Sequence, residues 1–151
     1  MKKRTLSASK AGKIIYWIAT IWLSLGMVST GAVQLFQIKG DGPGSPDSMT
    51  QLGYPVYFVT FLGIAKFLGV IALLLPKLPL LKEWAYAGFF FMMSGAIFTH
   101  VAAGNSLGEI FPPLLLLILT VVSWYFRPSD RKVPVLTTDS VSVNQFEKSI
   151  A

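Results

Sequence analysis

The chain has 151 residues, 53% of them hydrophobic and only 13% charged, with a net charge of +6, one histidine and no cysteine. So little charge excludes an ordinary soluble domain, and the basic excess gathers between apolar runs instead of on a folded surface, which excludes nucleic acid as a partner. Without cysteine there is no thiol–disulfide chemistry, iron–sulfur ligation or lipoprotein processing, and His100, with only Glu109 near it in sequence, supplies neither a bis-histidine haem site nor a metal site.

In chain order, residues 1–13 form a basic tail with Lys2, Lys3, Arg4, Lys10 and Lys13. It leads into the apolar run Ile14–Phe36, near the ~20 residues that cross a bilayer as a helix. That run is longer than the core of a signal peptide, so it is expected to remain as a span. Gly40–Ser48 (GDGPGSPDS) concentrates glycine, proline and aspartate and predicts a loop with no helix. The second span, Tyr54–Leu75, contains one charge, Lys66, close to its middle. Pro76 and Pro79 close it, and Pro76–Glu83 is a short turn into the third span, Trp84–Val101. Ser106-Leu107-Gly108-Glu109 matches a capping box opening the fourth span, Ile110–Phe126, with Pro112 and Pro113 in its first turns. Residues 129–151 are rich in Ser, Thr and Val and predict a disordered tail.

Basic residues lie before the first span, between the second and third (Lys77, Lys82), and after the fourth (Arg127, Arg131, Lys132), whereas the other two connections hold only Lys39. By the positive-inside rule both termini are cytoplasmic. The expected fold is all-α: an antiparallel bundle of four transmembrane helices, N-in and C-in, spanning residues 14–128. Trp84, Tyr86, Trp124 and Tyr125 fall at interface depth as an aromatic belt.

Lys66 is the principal candidate site. A lysine at mid-membrane costs roughly 3 kcal/mol unless partnered. Leu75, where the span ends, is about 14 Å away at helical rise, too far for the side chain to reach the interface by itself. Gly63 and Gly69 share its face and mark close packing. Ser24 and Ser94 fall at about its level, and no carboxylate does, since Glu109 lies about 18 Å away in depth by the same rise. Three states follow for Lys66: a neutral amine, an ammonium in a water-filled cavity, or a cation that takes an external partner such as an anion or a quinone carbonyl. In the third span Ala85, Gly88, Met92, Gly95, Thr99 and Ala102 form a small-residue seam, with Gly88 and Gly95 as its packing glycines and Phe89, Phe90, Met93 and Ile97 on the opposite side, suited to lipid or to filling gaps. Gln34, His100, Asn105 and Glu109 gather near the outer ends of their spans, and Gln34, His100 and Glu109 join Lys66 as candidate ligand-binding residues. No nucleophile–base pair, phosphate-binding glycine loop or paired carboxylates identify a catalytic residue.

KIIYWIATIWLSLGMVSTGAVQL, MTQLGYPVYFVTFLGIAKFLGVIALLLP, LLKEWAYAGFFFMMSGAIFTHVAAG and PPLLLLILTVVSWYFRP, together covering most of residues 13–128, resemble the DoxX-like family of small bacterial four-helix membrane proteins. The resemblance implies a multi-pass protein of the bacterial inner membrane. The family name derives from a subunit of a thiosulfate:quinone oxidoreductase, and some relatives are associated with membrane redox complexes. The broader group often carries a glutamate where this chain has Lys66, so no role for that residue is taken from the resemblance.

Two functional expectations follow. The first is a non-catalytic scaffold or accessory subunit of a membrane complex, with the lipid bilayer, a second copy or a redox complex as partners and no evident cofactor. The alternative is a redox-linked subunit that binds a quinone or small anion in the bundle near Lys66.

Overall fold

The computed structural model describes residues 10–42 and 44–134. Four long helices, α1 (Lys10–Leu35), α3 (Val56–Leu74), α4 (Pro79–Ala102) and α5 (Leu107–Tyr125), are each long and apolar enough to cross a membrane. A short α2 (Pro46–Gln51) precedes α3, and a 3₁₀ turn, Ser129–Arg131, follows α5. The four long helices alternate in direction, so α1 starts and α5 finishes at one end of the bundle, here the terminal end; the other is the loop end. α1 packs on α3 and α5, and α4 packs on the same two, closing a ring in the order α1–α3–α4–α5. The outer surface is apolar at mid-depth, with Leu25, Phe61, Leu68, Phe91, Phe98 and Ile118 all exposed. Such a belt needs lipid against it.

Several expected boundaries shift for local reasons. α1 begins at Lys10, inside the basic tail, and residues 1–9 lie outside the description. The Gly/Pro segment is not wholly loop: the Ser45 side chain accepts from Ser48 N, Pro46 occupies the first turn, and α2 starts there. Pro79 likewise opens α4 instead of only closing the preceding span, so Lys82 and Glu83 are helical. The Ser106 capping box does not form. Ser106 is the N-cap of α5 by position, yet its side chain makes no capping bond, and Glu109 turns instead towards His100, with 3.8 Å between Oε2 and Nδ1. Of the tail expected to be disordered, residues 135–151 lie outside the description.

The packed core fills the terminal half: Leu23 and Met27 of α1, Val70 and Leu73 of α3, Tyr86, Phe89 and Met93 of α4, and Leu116 of α5. Gly63 admits α1 closely. A Cβ there would sit 2.9 Å from Gly31 O and Leu35 N, so only glycine permits this approach. Gly69 receives the Phe89 ring, whose nearest atoms lie 2.5 Å from where a Cβ would be.

Gly88 and Gly95, by contrast, pack against nothing. No atom lies within 4 Å of a Cβ built on either. The buried face of α4 is Lys82, Tyr86, Phe89, Met93 and His100, so the expected small-residue seam is split, with Gly88, Gly95 and Ala102 exposed while Ala85 and Met92 pack on the core, and Phe89 and Met93 of the opposite side fill the interior. The cause is knob-into-hole pairing: the small residue sits on α3 and the large one on α4. Tyr86 also leaves the expected aromatic belt. It is 3% exposed and its hydroxyl shares a 2.7 Å hydrogen bond with Ser123, which in turn bonds Thr20 of α1 at 2.7 Å.

The terminal end is closed by charged groups. Lys82 is fully buried and its Nζ donates to the carbonyl oxygens of Ala72 (3.0 Å), Leu73 (2.6 Å) and Leu75. It thereby satisfies the unpaired carbonyls that end α3 and sits at the negative end of that helix dipole. Arg127 is buried, pairs with Glu83 and lies 5.4 Å from the Tyr86 ring centroid. Arg131 stacks over Trp17 at 4.8 Å and donates to Tyr16 OH at 3.2 Å.

Candidate functional site

The loop half of the bundle is hollow. Its cavity of about 270 Å³ has Met93 and Leu116 at the core side, and Met49, Leu52 and Tyr54 among its walls at the loop end. Gln34 of α1, Lys66 of α3, His100 of α4 and Glu109 of α5 all line it. Each of the four long helices therefore contributes one of the four candidate side chains to a single space.

Local geometry explains how each residue arrives there. On α1, Thr30 and Gln34 are one turn apart and share a face. The Gly31 position then brings α1 against α3: a Cβ on Gly31 would lie 3.3 Å from Lys66 Cβ. Lys66 is only 4% exposed, and its Nζ donates to Thr30 Oγ1 at 3.1 Å. The expected partners Ser24 and Ser94 do not bond it. Ser24 Oγ is buried with no hydrogen-bond partner. A helical side chain leans towards its own N-terminus, which for α3 is the loop end, so Lys66 meets a hydroxyl on that side of the level obtained by counting turns. Thr30 also donates to Gly26 O at 2.9 Å, which orients its oxygen as an acceptor for the ammonium.

Gln34 is 2% exposed. Its Nε2 donates to Gly44 O at 3.0 Å, tying the long loop to α1, while its Oε1 is buried with no partner among the described residues. At the loop end, His100 Nδ1 is 2.8 Å from Asn105 Nδ2 and 3.8 Å from Glu109 Oε2. Asn105 Nδ2 donates to an unprotonated Nδ1, whereas an ion pair with Glu109 requires a proton on that same nitrogen, so the two partners correspond to different protonation states of the ring. Tyr54 OH, just before α3, and Thr99 Oγ1 of α4 bond at 2.6 Å. The roles of Thr30, Tyr54 and Thr99 carry no signal in the sequence, because a lone hydroxyl gains a partner only once the facing segment is known.

A family model described as the DoxX-like family matches residues 18–123. The chain belongs to the DoxX-like family. The matched segment runs from α1 to the last turns of α5 and includes all four cavity residues. No curated protein and no solved structure gives a match. Among the described residues no group of three or more His, Cys, Asp or Glu side chains could hold a metal ion.

Chemically, the cavity has a largely apolar wall and, among the described residues, an ammonium with one protein acceptor, an amide oxygen with no donor, and a histidine beside a carboxylate at its loop-end rim.

Proposed function

We propose that this DoxX-like protein is a membrane subunit that binds a lipid-soluble ligand inside its four-helix bundle, with Lys66 as the anchoring group. The observation that carries this reading is the convergence of Gln34, Lys66, His100 and Glu109, one from each long helix, on one cavity. A buried cation is costly in a membrane and is retained where it serves a ligand or ion path. A quinone carbonyl or a small anion suits Lys66, and the His100–Glu109 pair at the rim suits proton exchange with water. An accessory role within a larger complex is compatible with this: such a subunit holds a ligand on which a partner acts. The positive-inside distribution of Lys and Arg supports placing the cavity in the outer half of a bacterial inner membrane.

Mass spectrometry of molecules retained by the purified protein tests this reading, with wild type beside Lys66→Met. A lipid-soluble carbonyl compound or an anion enriched in wild type alone supports it. Identical bulk lipid in both samples, with the variant folded, overturns it in favour of a scaffold.

A further inference from the structure

The cavity lining includes Gly95, an exposed residue of α4, as well as polar groups in the interior. α4 meets α3 where Phe89 seats on Gly69 towards the terminal end, and meets the segment just before α3 where Tyr54 bonds Thr99 towards the loop end. Between these contacts the cavity is lined by Leu62 and Lys66 on one side and by Met92, Gly95 and Ala96 on the other. Gly95 is exposed, and a Cβ there would meet nothing within 4 Å. It lies about two turns inside the loop end of a helix long and apolar enough to cross a membrane, where the space beside it is expected to meet hydrocarbon.

The interior shows what kind of head it suits. Lys66 Nζ has three protons to donate, and among the described residues Thr30 accepts one. Gln34 Oε1 accepts none, although Gln34 is 2% exposed and lines the same space. An amide flip does not relieve it, because Nε2 already serves Gly44 O and the flip would set two oxygens against each other. Gln34 and Lys66 are neighbours across the α1–α3 contact, since a Cβ on Gly63, one turn from Lys66, would lie 3.2 Å from Gln34 Cβ. Lys66 and Gln34 thus line one cavity, the first with protons to spare and the second with a buried amide oxygen that no described residue serves. A bare carbonyl or a fully ionised anion answers only the first; a hydroxyl answers both, accepting from the ammonium and donating to the amide.

We infer that the ligand is an amphiphile with a hydroxyl-bearing head, which enters sideways from the bilayer between α3 and α4 and leaves its apolar tail in the opening beside Gly95. This rests on the ligand-binding reading above and narrows it. A buried donor–acceptor pair selects strongly against an analogue that lacks the hydroxyl proton, because the amide oxygen is then left unpaired.

The test uses two photoactivatable probes in nanodiscs holding the full chain: a long-chain alcohol with a diazirine in its alkyl tail, and the methyl ether of the same alcohol. Labelled peptides are mapped by mass spectrometry. In wild type the alcohol should label the α3 and α4 segments around Leu62 and Gly95 at least fivefold more than the ether. Gln34→Leu should remove that preference. Gly95→Leu should abolish cavity labelling by the alcohol, while Gly88→Leu, on the same open side of α4 but away from the cavity, should leave it intact and control for folding. Equal labelling by alcohol and ether overturns the hydroxyl assignment while leaving a ligand cavity, with water on Gln34. Undiminished labelling in Gly95→Leu overturns lateral entry. If neither probe labels the cavity and Lys66→Met changes nothing retained on purification, the ligand-binding reading itself falls.

Discussion

Replacing Lys66 by methionine should make the protein more stable and empty its site. The ammonium at mid-membrane costs roughly 3 kcal/mol on insertion scales. Against this stands one hydrogen bond, to Thr30 at 3.1 Å, worth about 1 kcal/mol net. Thr30 loses nothing essential when the lysine goes, because its hydroxyl still donates to Gly26 O. Methionine keeps an unbranched stem, which matters because Lys66 Cβ already lies 3.3 Å from the Cβ position of Gly31; a β-branched replacement would force α1 away. The balance is a gain of about 2 kcal/mol, obtained by removing a charge with too few partners. Reversible unfolding of ligand-free protein in mixed micelles, followed by far-ultraviolet circular dichroism, measures it. A loss of more than about 1 kcal/mol in Lys66→Met would refute the reasoning, because it would make the Thr30 bond structural and remove the case for an anchor held at a cost.

Three other outcomes are expected. Gly63→Ala should cost about 1–3 kcal/mol, since its Cβ would strike backbone atoms at 2.9 Å that no rotamer can move, whereas Gly88→Ala should be neutral or slightly stabilising; equal effects in the same unfolding assay would contradict the packing. Glu83→Ala should destabilise by about 3 kcal/mol because Arg127 is 4% exposed and would keep a buried, unpaired charge. Adding Arg127→Leu should recover most of that loss, and a double variant no better than the single one would show that the pair is not the cause. A periplasmic reporter fused after Arg131 should stay inactive and one placed at Gly42 should be active, as the distribution of Lys and Arg requires; the opposite pattern would invert the bundle.

Much of the candidate site could be read from residue types alone. Lys66 stood out because nothing near it in sequence could neutralise it, and Gln34, His100 and Glu109 because polar side chains are rare in these spans. Gly63 and Gly69 shared a face with Lys66, and both proved to be contact points. The face of α4 was not legible. In a membrane, lipid and protein interior are equally apolar, so hydrophobic pattern does not separate them. Gly88 and Gly95 therefore resembled a packed seam and prove exposed, while Phe89 and Met93 were open to lipid or to gap-filling and the structure places them in the core. Lys82 was legible only as a topology signal. Its burial depends on how the turn after α3 aims three free carbonyls at one point.

Composition and the spacing of charges by themselves determined that this is a four-span helical membrane protein, because backbone groups in hydrocarbon must bond within helices and charge must gather where water is. The tertiary structure decided which side chains meet. Lys66 reaches Thr30 and shares a cavity with Gln34, His100 and Glu109 because Gly31 and Gly63 let α1 and α3 touch at one level, and a contact between two glycines on different helices sets depths that counting turns along either helix does not supply.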